Sequence, residues 1–166
     1  LEIIEEGKSK VGINTHLTNK IVLNALQNNL INDFKNISEI KTEIKFGENT
    51  RFDFLLINKK DKIFVEVKNV TLSRKNGLAE FPDAVTTRGL KHINELIKAS
   101  KKNYKIYILY LIQRDDCEIF SIASDIDPNY ANALKSAVKK KLNILCYDCK
   151  FSAKGIKLNK KIKIKI

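Results

Sequence analysis

The chain has 166 residues, about the length of one domain, with 31 Lys and Arg against 19 Asp and Glu for a net charge of +12. Its 43% hydrophobic and 30% charged residues read as a soluble globular domain with a single substantial core. The longest apolar run, Ile106 to Ile112, is far short of a membrane span, and the opening LEIIEEGKSK carries acids and no apolar leader.

The first expected element follows VGINTHLTN, a polar turn in which Thr18 is a candidate cap for a helix from about Asn19 to Leu30. Ile21, Val22, Leu26 and Leu30 form its apolar face. Ile37 to Phe46 alternates apolar and charged residues, predicting a half-exposed strand that carries Glu43 and leads through GENT into a hairpin.

That hairpin, Arg51 to Val70, seats Asp53, Glu66 and Lys68 in or beside two apolar strands. Charge in such strands is costly unless partnered, and two carboxylates about 4 Å apart repel by roughly 4 kcal/mol at an effective dielectric of 20. A divalent cation removes that repulsion. Residues two apart on a strand share a face, so Glu66 and Lys68 project together. A turn centred near Lys60 sets Asp53 opposite Val67, one position from Glu66, and a bulge or twist is then needed to bring both acids to one ion. The chemistry suggested is hard-cation binding by oxygen, with a lysine near the water or the scissile phosphate. An ordinary hairpin with a solvated charged face is the alternative reading of the same residues.

GLAEFPDAVTTRG reads as a loop into a second helix, with Pro82 and Asp83 near its start and KHINELIKASKK as its body. Tyr104 to Leu111 is a buried strand and Glu118 to Ile122 a shorter one. Asp127 and Pro128 open a third helix with Tyr130, Leu134 and Val138 at helical spacing, followed by the strand NILCYD and a basic alternating end. This order predicts an α/β fold: a mixed central sheet with helices on both faces. The three cysteines include one CYDC pair, Cys146 and Cys149, but no second pair for a zinc site, so reduced thiols in the cytoplasm are expected. The positive charge favours polyanions through counterion release, although a Lys-, Asn- and Ile-rich composition raises charge without any selected partner.

VGINTHLTN, EIKFG at Glu43, RFDFLL at Arg51, FVEVKNVTL at Phe64, FPDAVTTRGLKHINEL at Phe81, IDPNYA at Ile126 and NILCYDC together cover nearly the whole chain. They resemble the sugar fermentation stimulation protein A (SfsA) family, and EVKNVTL followed by FPDAVTTRG is the specific signature. The resemblance implies a restriction-endonuclease-like, PD-(D/E)XK domain over residues 11–166, a carboxyl-terminal unit normally preceded by an OB-fold domain. Residues 1–10 would then be a remnant of that upstream unit. It also implies Asp53 and Glu66 as metal ligands, joined by the Val67 carbonyl, with Lys68 as catalytic lysine, Glu43 as an additional acid and Mg²⁺ or Mn²⁺ as cofactor. One departure is Ile122, where similar sequences tend to have proline.

The family is described as DNA-binding and is linked by name to sugar metabolism. Arg88, Lys91 and His92, at i, i+3 and i+4, would share a helix face suited to backbone phosphates. His92 fits a polar contact against the sheet equally well. Arg51 and Asn14 are weaker DNA-binding candidates, Asn14 also fitting a helix cap, and Glu80 is a weaker site candidate. The expected partner is duplex DNA gripped by its backbone, since nothing indicates exposed aromatics for base stacking. No membrane partner is expected, and the oligomeric state is open, a homodimer included. The functional expectation is metal-dependent phosphodiester hydrolysis; the alternative is a non-enzymatic DNA-binding regulator of sugar metabolism genes on a nuclease scaffold.

Overall fold

The computed structural model describes residues 3–7 and 9–166. Strands β1 (Ile3–Glu6) and β2 (Ser9–Gly12) pair antiparallel, and Glu6 reaches Arg114 at 2.9 Å. Of the ten opening residues read as an upstream remnant, Leu1, Glu2 and Lys8 lie outside the described residues. Helix α1 (Leu17–Gln27) starts two residues earlier than the periodicity suggests, because Asn14 shapes its entry. The Asn14 carbonyl accepts from Leu17 N and its Oδ1 from His16 N, both at 3.1 Å. Thr18 therefore lies inside the first turn, buried, and does not cap it, while Leu30 falls beyond the helix and is exposed.

Next come β3 (Glu39–Phe46), β4 (Thr50–Ile57) and β5 (Lys62–Val70), an antiparallel ribbon, then a small hairpin of β6 (Leu72–Lys75) and β7 (Leu78–Phe81). Helix α2 (Thr87–Ser100), β8 (Lys105–Ile112), β9 (Ile119–Ile122), α3 (Pro128–Lys139), β10 (Leu142–Ser152), β11 (Gly155–Lys161) and β12 (Lys163–Lys165) complete the chain. The main sheet is mixed, in the order β11-β10-β8-β5-β4-β3, with β5, β8 and β10 parallel at its centre.

β8 shows why the sheet is covered on both sides. Ile106, Ile108, Tyr110 and Ile112 pack in the core beneath α2 and α3, whereas Leu109 and Leu111 pack in the core beneath α1. A parallel strand buried on both faces reads as one continuous apolar run. The same alternation sends Cys146 to one core and Cys149 to the other, so the CYDC pair cannot share a metal. All three cysteines are free and buried, and burial pushes Cys117 up to about 11 and Cys149 up to about 12.

Four strands form a second sheet, β12-β9-β7-β6, which the sequence reading did not anticipate. Residues Leu78–Phe81, read as loop, are a strand between β6 and β9. α2 consequently begins at Thr87, five residues past Pro82, and Thr86 rather than Asp83 caps it, its Oγ1 accepting from Gly89 N at 2.9 Å. Asp83 is exposed. Gly89 is where α2 crosses α3: a Cβ there would sit 3.1 Å from the Tyr130 ring and 2.8 Å from the Thr86 side chain. Asp127 caps α3 as expected, accepting from Tyr130 N at 2.9 Å, and it also ties the two helices by accepting from Thr86 N at 2.8 Å. Tyr130 and Leu134 are buried; Val138, read onto the same face, is exposed. Ile122 ends β9 in register with Phe81.

Candidate functional site

β5 pairs with β8 along its length, from Ile63↔Lys105 to Val70↔Ile112, but its ladder with β4 stops at Phe54↔Val65. Beyond that point the β3–β4 ribbon turns over. Ile40, Phe54 and Leu56 pack in the core beneath α1, whereas Ile44, Phe46 and Phe52 pack in the core beneath α2. The switch falls at Glu43 and Asp53, which face each other between the pairs Thr42↔Phe54 and Ile44↔Phe52. Glu43 has φ 53°, a region sparsely populated by residues other than glycine. The ribbon is thus bent where the acids stand.

Continued past its last pair, the β4–β5 register sets Asp53 across from Glu66, not Val67. The turn is centred between Lys59 and Lys60, because Asn58 Oδ1 accepts from both Lys60 N (2.9 Å) and Asp61 N (2.7 Å). Asp53 takes the place of the missing ladder: its Oδ2 accepts from Val67 N at 2.7 Å, and its Oδ1 from Asn19 Nδ2 of α1 at 2.8 Å.

Glu66 is 3% exposed. Its Oε1 accepts from Lys68 Nζ at 2.8 Å and from His92 Nδ1 of α2, with Lys68 Nζ 3.4 Å from that nitrogen. Its Oε2 is buried with no partner among the described residues. The other buried oxygen in that condition is Gln113 Oε1, whose own amide nitrogen donates to Thr18 Oγ1 (3.0 Å) and Asn69 Oδ1 (2.6 Å), tying α1 to the end of β5.

Burial, followed by the charge on Glu66, pushes Asp53 up to about 6, against the opposing hydrogen bonds from Val67 and Asn19. For Glu66 burial is the largest single influence and pushes upward. The hydrogen bonds and charges of His92 and Lys68 together outweigh it and hold the carboxyl below its ordinary value. One carboxyl of the pair is therefore poorly compensated.

This donor set fits a hard divalent cation. Asp53 offers oxygens already at the cleft, Glu66 an oxygen without a partner, and a cation would relieve the burial that raises Asp53. On an extended strand the N–H and C=O of one residue point to the same side, so the Val67 carbonyl faces the gap that β4 leaves, where its N–H meets Asp53. Among the described residues no three His, Cys, Asp or Glu side chains converge as a ligand set.

The cleft, about 490 Å³, is lined by Asp53, Glu66, Val67 and Lys68 of the hairpin, Thr18, Asn19 and Lys20 of α1, and Arg88 of α2. Glu43 also lines it but is exposed, at the rim and outside any three-residue ligand set. Arg88 and Lys91 are exposed and line the adjoining groove with Arg51. His92 is not exposed with them as the shared helix face suggested: it is 6% exposed and bound to Glu66, because β5 lies directly under that position of α2. Asn14 does not line the cleft; its side chain holds the entry to α1. Glu80 is remote from the hairpin acids in its contacts, bonded through both oxygens to Arg74.

Asn19, Thr18 and Gln113 were missed from sequence. The available signals were slight: Asn19 is one polar residue in a helical first turn, whereas Gln113 is the first polar residue after the apolar run of β8 and could have been suspected.

Comparison with known proteins matches residues 16–155 to the Sugar fermentation stimulation protein RE domain. A sugar fermentation stimulation protein homologue from Pelagibacter ubique is 53% identical over 164 residues, 99% of this chain and 71% of that protein. One from Bartonella henselae is 40% identical over 168 residues, covering 99% of this chain and 70% of its own length. Among solved structures, Pyrococcus furiosus SfsA in complex with Ca²⁺ superposes with a TM-score of 0.91 at 27% identity, over 100% of this chain and 71% of that one. On its sequence and on its mixed α/β fold alike, the chain belongs to the sugar fermentation stimulation protein family.

Proposed function

We propose that this chain is a PD-(D/E)XK nuclease-like domain that binds DNA and hydrolyses its phosphodiester bonds with Mg²⁺ or Mn²⁺. The observation that carries the reading is the bent hairpin: Asp53 and Glu66 face one another where β4 leaves β5, with one buried glutamate oxygen unpartnered and Lys68 2.8 Å from the other. The Ca²⁺ complex of the Pyrococcus furiosus relative supports divalent-cation binding by this fold.

Asp53, Glu66 and the Val67 carbonyl would hold the ion. When bound, it supplies Lewis-acid stabilisation of charge developing on a phosphoryl oxygen and makes water more acidic. Lys68 is fixed beside that position by Glu66 and orients water or offsets the growing negative charge. His92 and Asn19 act on the carboxylates, each through one hydrogen bond that sets the direction of a ligand oxygen. Arg88 at the cleft and Lys91 farther along α2 contact backbone phosphates and set the register of the duplex. Their exposure favours a duplex backbone, because the aromatic rings near the groove, Phe46, Phe52 and Phe64, are packed against one another.

The test is incubation of plasmid, linear and branched DNA with Mg²⁺ or Mn²⁺, comparing the wild type with Lys68→Ala. Cleavage by the wild type and its loss in the variant is the expected result; DNA left intact under both metals contradicts hydrolysis. One observation favours a second reading, a DNA-binding regulator of sugar metabolism genes that retains the ion but does not cut: Lys68 and His92 both already engage Glu66 Oε1, and Glu43 stands outside the ligand set. That reading predicts salt-sensitive binding with no cleavage under either metal. Among the described residues no helix is long and apolar enough to cross a membrane, and the free buried thiols fit a reducing cytoplasm.

A further inference from the structure

The cleft is one end of a longer trough. Glu43 and Arg88 are shared between it and a groove of about 510 Å³ whose other charged residues are Lys45, Glu48, Arg51 and Lys91. That groove in turn shares Glu48, Asn49, Thr50 and Lys91 with a pocket of about 600 Å³. The trough therefore runs down the flank of α2, with the tip of the β3–β4 ribbon as its other wall.

Its far pocket has a composition of its own. Lys98, Lys101 and Lys102 are exposed there around the ring of Phe46, with Lys102 Nζ 5.4 Å from the ring centre. Glu95 offsets only one of them, pairing with Lys98 at 2.7 Å, and Lys91 bridges the two walls by donating to the Asn49 carbonyl at 2.8 Å. Lys91, Lys98, Lys101 and Lys102 outnumber Glu48 and Glu95 around this pocket, so its charge stays positive although the negative end of the α2 dipole offsets part of it, which suits a polyanion rather than a metal.

We infer that this lysine pocket is a second phosphate-binding subsite, which holds the DNA duplex on one side of the cut. The inference rests on the DNA-binding reading above, not on hydrolysis. Arg88 and Lys98 are ten residues apart on α2, roughly 15 Å at 1.5 Å per residue. A duplex rises about 3.4 Å along its axis per base pair, so a duplex laid along α2 reaches the pocket about four base pairs from Arg88. Substrate recognition is thereby lopsided: the duplex must extend along α2 and needs less length in the other direction.

The test measures binding in Ca²⁺ and in EDTA, so that cleavage plays no part. It compares the wild type, the triple variant Lys98→Ala, Lys101→Ala, Lys102→Ala, and a charge-matched control at the end of α3, Lys135→Ala, Lys139→Ala, Lys140→Ala. Duplexes of graded length are used at several salt concentrations. The pocket variant should lower the slope of log affinity against log salt by about 2 to 3, and the control should leave it unchanged. The difference should vanish on duplexes too short to reach the pocket. Equal losses from both variants, or none from either, overturn the inference and leave DNA binding standing. Failure of the wild type to bind any duplex overturns both. Binding as described without cleavage in Mg²⁺ supports the subsite while contradicting hydrolysis.

Discussion

The acid–base cluster of the second sheet and that of the main sheet solve the problem of charge differently. In the second sheet Arg74 faces Glu80 and Asp125. Its Nε and Nη2 donate to the two oxygens of Glu80 at 2.9 and 2.6 Å, and its Nη1 and Nη2 to the two oxygens of Asp125 at 2.6 and 2.9 Å. Every acceptor is matched, and the guanidinium holds Asp125 down to about 2. In the main sheet Asp53 and Glu66 face each other with one oxygen unpartnered, and Asp53 is pushed up to about 6. A fully matched cluster fastens elements together; one left incomplete keeps room for a ligand that completes it.

The sharpest way to break this comparison is to remove the group whose role is chemical. Lys68→Ala should reduce DNA cleavage by roughly 10²- to 10³-fold while circular dichroism shows an intact fold; a variant that cuts as well as the wild type would make Lys68 a mere counter-ion. His92→Ala comes next. It removes the support of a ligand oxygen and should weaken Mn²⁺ affinity by about 10- to 100-fold, read by calorimetry, whereas unchanged affinity would make His92 a packing residue.

pH separates the clusters at smaller amplitude. Burial lets Asp53 keep its proton in the folded protein up to about 6, against 3.8 for a freely solvated carboxyl. Its contribution to metal-free stability is therefore fully present below 3.8 and is lost as pH rises through 6. Thermal melts in EDTA should show Asp53→Asn more stable than the wild type at pH 8 and the gap closing by pH 4. Mn²⁺ should reverse the order at pH 8. A constant gap across that range would mean that burial does not perturb this carboxyl. The smallest effect is expected from Glu80→Ala, which should lower Tm by a few degrees and leave Mn²⁺ binding intact. A loss of metal affinity there would show that the two clusters are not separate.

How much of this was legible in the sequence follows from the range over which each feature is determined. Glu66 and Lys68 were placed on one face by the period of two alone. Asp53 was brought to them correctly but with a register one residue off, because the hairpin centre depends on Asn58 accepting from two backbone N–H groups, which no apolar pattern reports. The bend at Glu43 and Asp53 was legible only as a need. The second sheet was hidden, since Leu78–Phe81 is four residues long and its parallel partner β9, with β12 beyond it, lies far along the chain. His92 was read by helical spacing onto the face of Arg88 and Lys91 and equally as a polar contact against the sheet, and the second is where it stands. Which side of α2 meets β5 is set by packing, and that turned His92 inward to Glu66.

Whether Asp53 and Glu66 hold a divalent cation is measured directly by titrating Mn²⁺ by calorimetry into the wild type, Asp53→Ala and Glu80→Gln. Saturable binding by the wild type and by Glu80→Gln, absent in a folded Asp53→Ala, is the predicted result. Binding of equal strength in all three, or in none, would contradict it.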